Sequence, residues 1–251
     1  MSMLFDNITE QDKIVAVKEL IDDSTPRPSF FFLVILSVLM AACGLIINNA
    51  SVIIASMLIA PILSPVLSIA LGIVIADGKL ISRSFFTLLK STGWAISLSA
   101  VTTWLLWNFA TSDFHTSLTP EIIERIQPSI VYLIIAIIAG TATAFARVKP
   151  DLSETLPGTA IAVALVPPLA TVGIGIATLR LEVASGAFAM FVLNLIGIVL
   201  AAMVMFSMMN LYTKKTIIAK TVEKADEELE KELESSQKKT ETNNISPFAE
   251  D

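Results

Sequence analysis

The chain has 251 residues, 54% hydrophobic and 16% charged, with a mean hydropathy of +0.75. A soluble domain usually approaches a quarter charged residues, so these values exclude an ordinary soluble globule and describe a polytopic membrane protein. The formal net charge of −6 comes largely from an acidic C-terminal tail and gives no footing for a nucleic-acid partner.

In chain order, TEQDKIVAVKELIDD (Thr9 to Asp23) places Ile14, Val17 and Ile21 on one helical face and stops at the TPRP turn. No apolar core precedes a cleavage site here, so no secretory signal is expected. Residues 1–28 read as a cytoplasmic amphipathic helix, either packed on the surface or acting as a regulatory lid. A crossing helix needs roughly 20 apolar residues. That length predicts six spans within 29–210, at about 29–47, 51–76, 85–109, 129–147, 156–177 and 184–210. Lys13, Lys18 and Arg27 precede the first span. Lys79, Arg83 and Lys90 follow the second, Arg147 and Lys149 the fourth, and Lys214, Lys215 and Lys220 the sixth. The positive-inside rule therefore expects both termini in the cytoplasm. Asn48 and Asn49 fall at the outer mouth of the first span as caps. Thr119-Pro120-Glu121 is a helix start between spans three and four, with a capping hydroxyl and a first-turn proline. Residues 211–251 read as a charged helix with an Ile218, Val222, Ala225, Leu229 seam, then a disordered tail.

Spans two and five carry the main clue. IASMLIAPILSPVLSIALG (Ile54 to Gly72) holds Pro61 and Pro65, and LPGTAIAVALVPPLATVGIG (Leu156 to Gly175) holds Pro167 and Pro168. A proline inside a helix removes a backbone bond at a cost of about 3 kcal/mol. Lipid cannot satisfy the carbonyl so freed, so broken helices sit inside protein or beside a wet cavity. Three spans per half also require any duplication to be inverted, with repeats at about 29–110 and 128–210. Setting Pro61 on Pro167 aligns LIAPILSPV with ALVPPLATV, and FFTLLKSTG then falls on AMFVLNLIG after a small gap. The expected fold is an all-α membrane protein of two inverted three-helix repeats with proline-broken second and fifth helices.

Small residues recur every fourth position at Ser56, Ala60, Ser64, Ser68, Gly72 and Ala76, and again at Ala136, Gly140 and Ala144. They serve close helix packing, or Ser56, Ser64 and Ser68 line a polar path with Thr171. Asn194 lies near the middle of span six and must bond to something, the proline-freed carbonyls being candidates. Lys90 is close enough to a helix end to snorkel. Asp77, Arg83, Arg147, Asp151 and Glu154 gather beside the broken spans, as a cytoplasmic gate or as ordinary interfacial charges. No carboxylate lies deep in a span. The one histidine, His115, falls in a loop, and no metal-ligand motif, nucleophile–base pair or phosphate-binding loop is present. No enzyme activity, cofactor or metal is expected. Cys43 stands in an apolar run without a disulfide partner.

ASMLIAPILSP, ADGKLISRS, LTPEIIERIQPS and LPGTAIAVALVPPLATVG with GAFAMFVLNLIGI resemble a prokaryotic membrane family, domain of unknown function 389, the uncharacterised hydrophobic domain. The resemblance covers about Phe30 to Met209. It implies a multi-span protein of a prokaryotic inner membrane and supplies no substrate or reaction. Many members carry a soluble α/β domain ahead of the spans, where this chain has the short helix. An acidic residue is common where this chain has Tyr132, so a role for that carboxylate in ion coupling does not carry over.

The expected function is a small-solute or ion transporter or channel with a midplane site at Pro61, Ser64, Pro65, Ser68, Pro167, Pro168, Thr171 and Asn194. A gate at Asp77, Arg83, Arg147 and Glu154 would close it, and a homo-oligomer in the lipid bilayer is expected. The alternative is a non-conducting oligomeric scaffold or sensor.

Overall fold

The computed structural model describes residues 9–109, 118–149, 152, 164–211, 227, 229 and 231. Among them the regular elements are α1 (Glu10–Asp23), α2 (Pro28–Ile46), α3 (Ala50–Ile59), α4 (Leu63–Ile75), α5 (Gly78–Phe109), α6 (Pro120–Glu124), α7 (Ile130–Val148), α8 (Val166–Ala177) and α9 (Leu181–Met208). No strand occurs among the described residues. Glu154, His115, the first part of the fifth predicted span and the Ile218–Val222–Ala225 seam lie outside them.

α1 starts at a reciprocal cap. Thr9 Oγ1 accepts from Asp12 N at 3.2 Å, and the Asp12 carboxylate accepts from Thr9 N at 2.8 Å. These bonds hold the Asp12 carboxyl below its ordinary pKa. A 14-residue helix is marginal alone in water. Burial of Ala16, Val17, Leu20 and Ile21 against α4 and α7 therefore holds it in place.

Among the described residues, three helices are long and apolar enough to cross a membrane: α2, α7 and α9. The pair α3 and α4 makes a fourth span if its 53° bend is counted within one crossing. α5 has 32 residues, about 48 Å at 1.5 Å per residue, and is long enough to cross. Its serines and threonines keep its hydropathy below that of the other spans. α8, with 12 residues, reaches about 18 Å and is too short on its own. Six crossings were expected; the polar face of α5 sets it apart from the other spans, and the first part of the fifth predicted span lies outside the described residues.

Three connections between helices share one geometry. After Gly44, Gly72 and Gly175 the chain passes through a left-handed residue four positions on: Asn48 (φ 55), Ala76 (φ 52) and Leu179 (φ 56). The next amide returns to the glycine carbonyl, from Asn49 to Gly44 at 2.9 Å, Asp77 to Gly72 at 2.9 Å and Arg180 to Gly175 at 2.8 Å. This is the Schellman closure. The glycines serve the following helix as well, since a Cβ there would lie 2.9 Å from Ile53, 2.8 Å from Ile81 and 2.5 Å from the Ala184 amide. Asn49 then caps α3 through Val52 N, and Asp77 caps α5 through Lys79 N and Leu80 N.

One end of the bundle is covered by α1. At the other, Thr119 caps α6 as expected and its hydroxyl donates to Leu45 O at 2.8 Å. Glu121 pairs with Arg125 at 2.6 Å. Between these ends α7 packs along α9, α8 lies on α5 and α9, and α4 lies on α5 and α9. Phe32, Phe86, Trp94, Trp104, Ile138 and Val204 are exposed on the outer surface. So broad an apolar surface marks contact with lipid or with other apolar protein.

Candidate functional site at the broken helices

The prolines do not interrupt helix interiors. α3 ends at Ile59, Ala60 is extended (φ −76, ψ 121), Pro61 lies in the turn, and Pro65 is the third residue of α4. Pro167 and Pro168 are the second and third residues of α8. First-turn amides have no partner within their own helix, so a proline there costs that helix nothing. The expected break in the second span is present, with Pro61 in the bend between α3 and α4, and the prolines sit at helix starts rather than inside a continuous helix. The cost moves to the carbonyl one turn earlier, which has lost the donor that would have continued the helix.

At α8 that carbonyl is identifiable. Ala164 stands four residues before Pro168, and Asn194 Nδ2 of α9 donates to Ala164 O at 3.0 Å. Asn194 is 5% exposed, so the buried amide supplies the bond that Pro168 cannot. At the first break a hydroxyl from a neighbouring helix plays a related part: Ser37 of α2 donates to Ser56 O at 2.7 Å, in the last turn of α3.

α5 contributes a buried polar seam that sequence reasoning passed over. Ser84, Thr87, Ser91, Ala95, Ser99 and Thr103 recur at helical spacing and all are buried, a period legible in the sequence. Ser99 Oγ donates to Ala170 O of α8 at 2.6 Å. The two helices meet almost backbone to backbone there, because a Cβ on Gly173 would lie 2.6 Å from Ile96 O. Thr87, Ser91 and Thr103 return their hydroxyls to carbonyls of α5 itself. Ser84 Oγ is buried with no partner among the described residues.

Pro167, Pro168, Thr171 and Asn194 come together where α8 begins against α9. Thr171 is fully buried and bonds Pro167 O at 2.9 Å. Pro61, Ser64 and Pro65 lie at the α3–α4 break, and α3 touches α8. Ser68 is separated from this set, its hydroxyl donating to Leu20 O of α1 at 3.1 Å. The small-residue stripe divides at the bend, with Ser56 and Ser68 buried and Ala60 and Ser64 half-buried. Of the gate residues, Asp77 is a helix cap, Arg83 donates to Thr25 Oγ1 and Arg147 pairs with Asp23. Both arginines therefore act on the end of α1. No group of three or more potential metal ligands occurs among the described residues.

The family described as Domain of unknown function (DUF389) matches residues 57–200, from the end of α3 into α9. The chain belongs to this family. An uncharacterised protein of Methanocaldococcus jannaschii is 36% identical over 176 residues, 70% of this chain and 52% of that relative. The chain thus spans about half that relative's length. No solved structure matches it. The DUF389 match includes both proline elements, the α5 seam and Asn194.

Proposed function

We propose that this DUF389 member is a six-crossing carrier or channel of two inverted three-helix repeats in a prokaryotic inner membrane, with both termini cytoplasmic. In this reading α2, α3–α4 and α5 form one repeat. α7, the segment ending in α8, and α9 form the other. Support comes from spacing and packing. Gly72 stands seven positions after Pro65 and Gly175 seven after Pro168, the same turn follows each glycine, and α4 lies on α9 as α8 lies on α5. The turns pair Pro65 with Pro168, three positions from the register that joins Pro61 to Pro167.

The observation that carries the reading is the part-buried Ala164 carbonyl, left without its helical donor by Pro168 and met by the Asn194 amide. Two prolines in the first turn strip α8 of amide donors and leave acceptors behind. Such a site takes a cation or a hydrogen-bond-donating solute in preference to an anion. The residues assigned to it are Pro61, Ser64, Pro65, Pro167, Pro168, Thr171 and Asn194. The chain itself is read as a non-enzyme that assembles into homo-oligomers through its outer apolar surface.

The test places single cysteines at Ser64 and Thr171 with Cys43 replaced by serine. Hydrophilic thiol reagents are expected to reach one or both from at least one side of the membrane. Protection of both from both sides overturns the reading. A flux screen in liposomes then names the solute. The second reading, a non-conducting scaffold, is favoured by the backbone partners already held by Ser68, Ser99, Thr171 and Asn194.

A further inference from the structure

We propose that α1 is a releasable strap that ties the α1-side end of α4 to that of α7, with the Arg147–Asp23 pair as its catch. The helix lies across both elements. Its apolar face sits in a crevice shared with Leu71 of α4, Val148 of α7, and Phe206 and Leu211 at the end of α9. To α4 it is bound through Ser68 Oγ and Leu20 O at 3.1 Å. To α7 it is bound through Asp23 and Arg147. A third tie runs to α5, where Arg83 donates to Thr25 Oγ1 and the Thr25 hydroxyl in turn donates to Ile21 O at 2.9 Å.

The ties differ in how readily they open. Arg147 is 14% exposed and Asp23 is 50% exposed, so ions and water reach one partner and weaken the pair. The other hold is apolar, the burial of Ala16, Val17, Leu20 and Ile21. A short helix that is marginal in isolation stays docked only while both hold. Its linker to α2 is the four residues Ser24, Thr25, Pro26 and Arg27, so a freed α1 remains tethered beside its seat. The consequence for transport rests on the reading above: α4 and α7 belong to opposite repeats, and a strap across them holds the α1 side closed.

The test uses the full chain in membrane vesicles, with Cys43→Ser throughout and a membrane-impermeant maleimide as probe. Leu20→Cys, buried under α1, is expected to label at least tenfold more slowly than Glu19→Cys on its exposed face. Asp23→Asn or Arg147→Gln is expected to raise the Leu20→Cys rate about tenfold. The exchange Asp23→Arg with Arg147→Asp should restore protection. Ile198→Cys, buried where α9 meets α7, reports the fold and stays unreactive in any variant that keeps it. Should Arg147→Gln label at Ile198, the half-exposed Asp23→Asn carries the test.

Unchanged protection in Asp23→Asn overturns the strap, as does parental labelling of Leu20→Cys as fast as Glu19→Cys. Labelling at Ser64→Cys reads the pathway separately and is expected to rise when the catch is broken. A response at Leu20 with Ser64 and Thr171 both sealed from both sides in every variant supports the strap and overturns the transport reading.

Discussion

The two proline elements solve one problem in different ways. At the first, the chain turns through 53° between α3 and α4, and Ser37 reinforces Ser56 O, a carbonyl four residues ahead of Ala60, which still has an amide. At the second, Ala164 O sits four residues ahead of Pro168, which has none, and Asn194 answers it. One break is eased chiefly by bending the chain, the other by a buried side chain from another helix. The second is therefore more sensitive to a single substitution, although both use prolines in first turns.

The contrast is sharpest at Gly173 and Ala70, each two residues before the glycine of its turn. Gly173→Ala sets a Cβ against the Ile96 carbonyl, backbone that cannot swing aside. A loss of about 1–3 kcal/mol is expected, read as a lower Tm in detergent. Ala70→Gly removes a buried methyl group and adds flexibility at a cost of about 1 kcal/mol. Equal effects would erase the difference between the breaks. Next in size, Asn194→Leu leaves the part-buried Ala164 O without its side-chain donor, at a cost of about 1–3 kcal/mol. Ser37→Ala should lose about 1 kcal/mol or less, because Ser56 O keeps a neighbour able to donate. The ordering reverses if the bend depends on Ser37 more than α8 depends on Asn194, and urea or thermal unfolding of the pair decides it.

The smallest effect concerns the turns. Leu179 holds a left-handed conformation with an 89% exposed side chain. Leu179→Gly is expected to stabilise the fold by about 1 kcal/mol through relief of that strain. Asn48→Gly should change little, since asparagine already tolerates φ 55. A destabilised Leu179→Gly would mean that this exposed leucine makes contacts in the membrane that outweigh its backbone strain.

Much of this was legible in the residues. Helix positions followed from apolar run length, the Thr119-Pro120-Glu121 start from capping chemistry, and the special character of the proline elements from composition. The predicted span at 51–76 became two helices because Pro61 and Pro65 begin a helix as readily as they interrupt one. The α5 seam had a clear Ser/Thr period and was overlooked because an 85–109 span was judged on apolar length. The role of Ser68 could not be read from its stripe. Its partner, Leu20 O, is 48 residues away, and local periodicity carries no information about such a pairing. Arg83 and Arg147 were grouped by their place beside the broken spans, but what they hold depends on where α1 docks.

By itself, the sequence determined the membrane class, the family, the helix starts and which segments could not be plain spans. All of these rest on local chemistry: hydropathy, the absent proline amide and capping side chains. Tertiary structure alone decided which acceptor each polar side chain meets, Asn194 with Ala164 O, Ser99 with Ala170 O and Arg147 with the Asp23 carboxylate. Inside an apolar bundle an unpaired polar group is expensive, so the fold must satisfy nearly all of them. The choice of partner depends on how helices distant in sequence come to lie side by side.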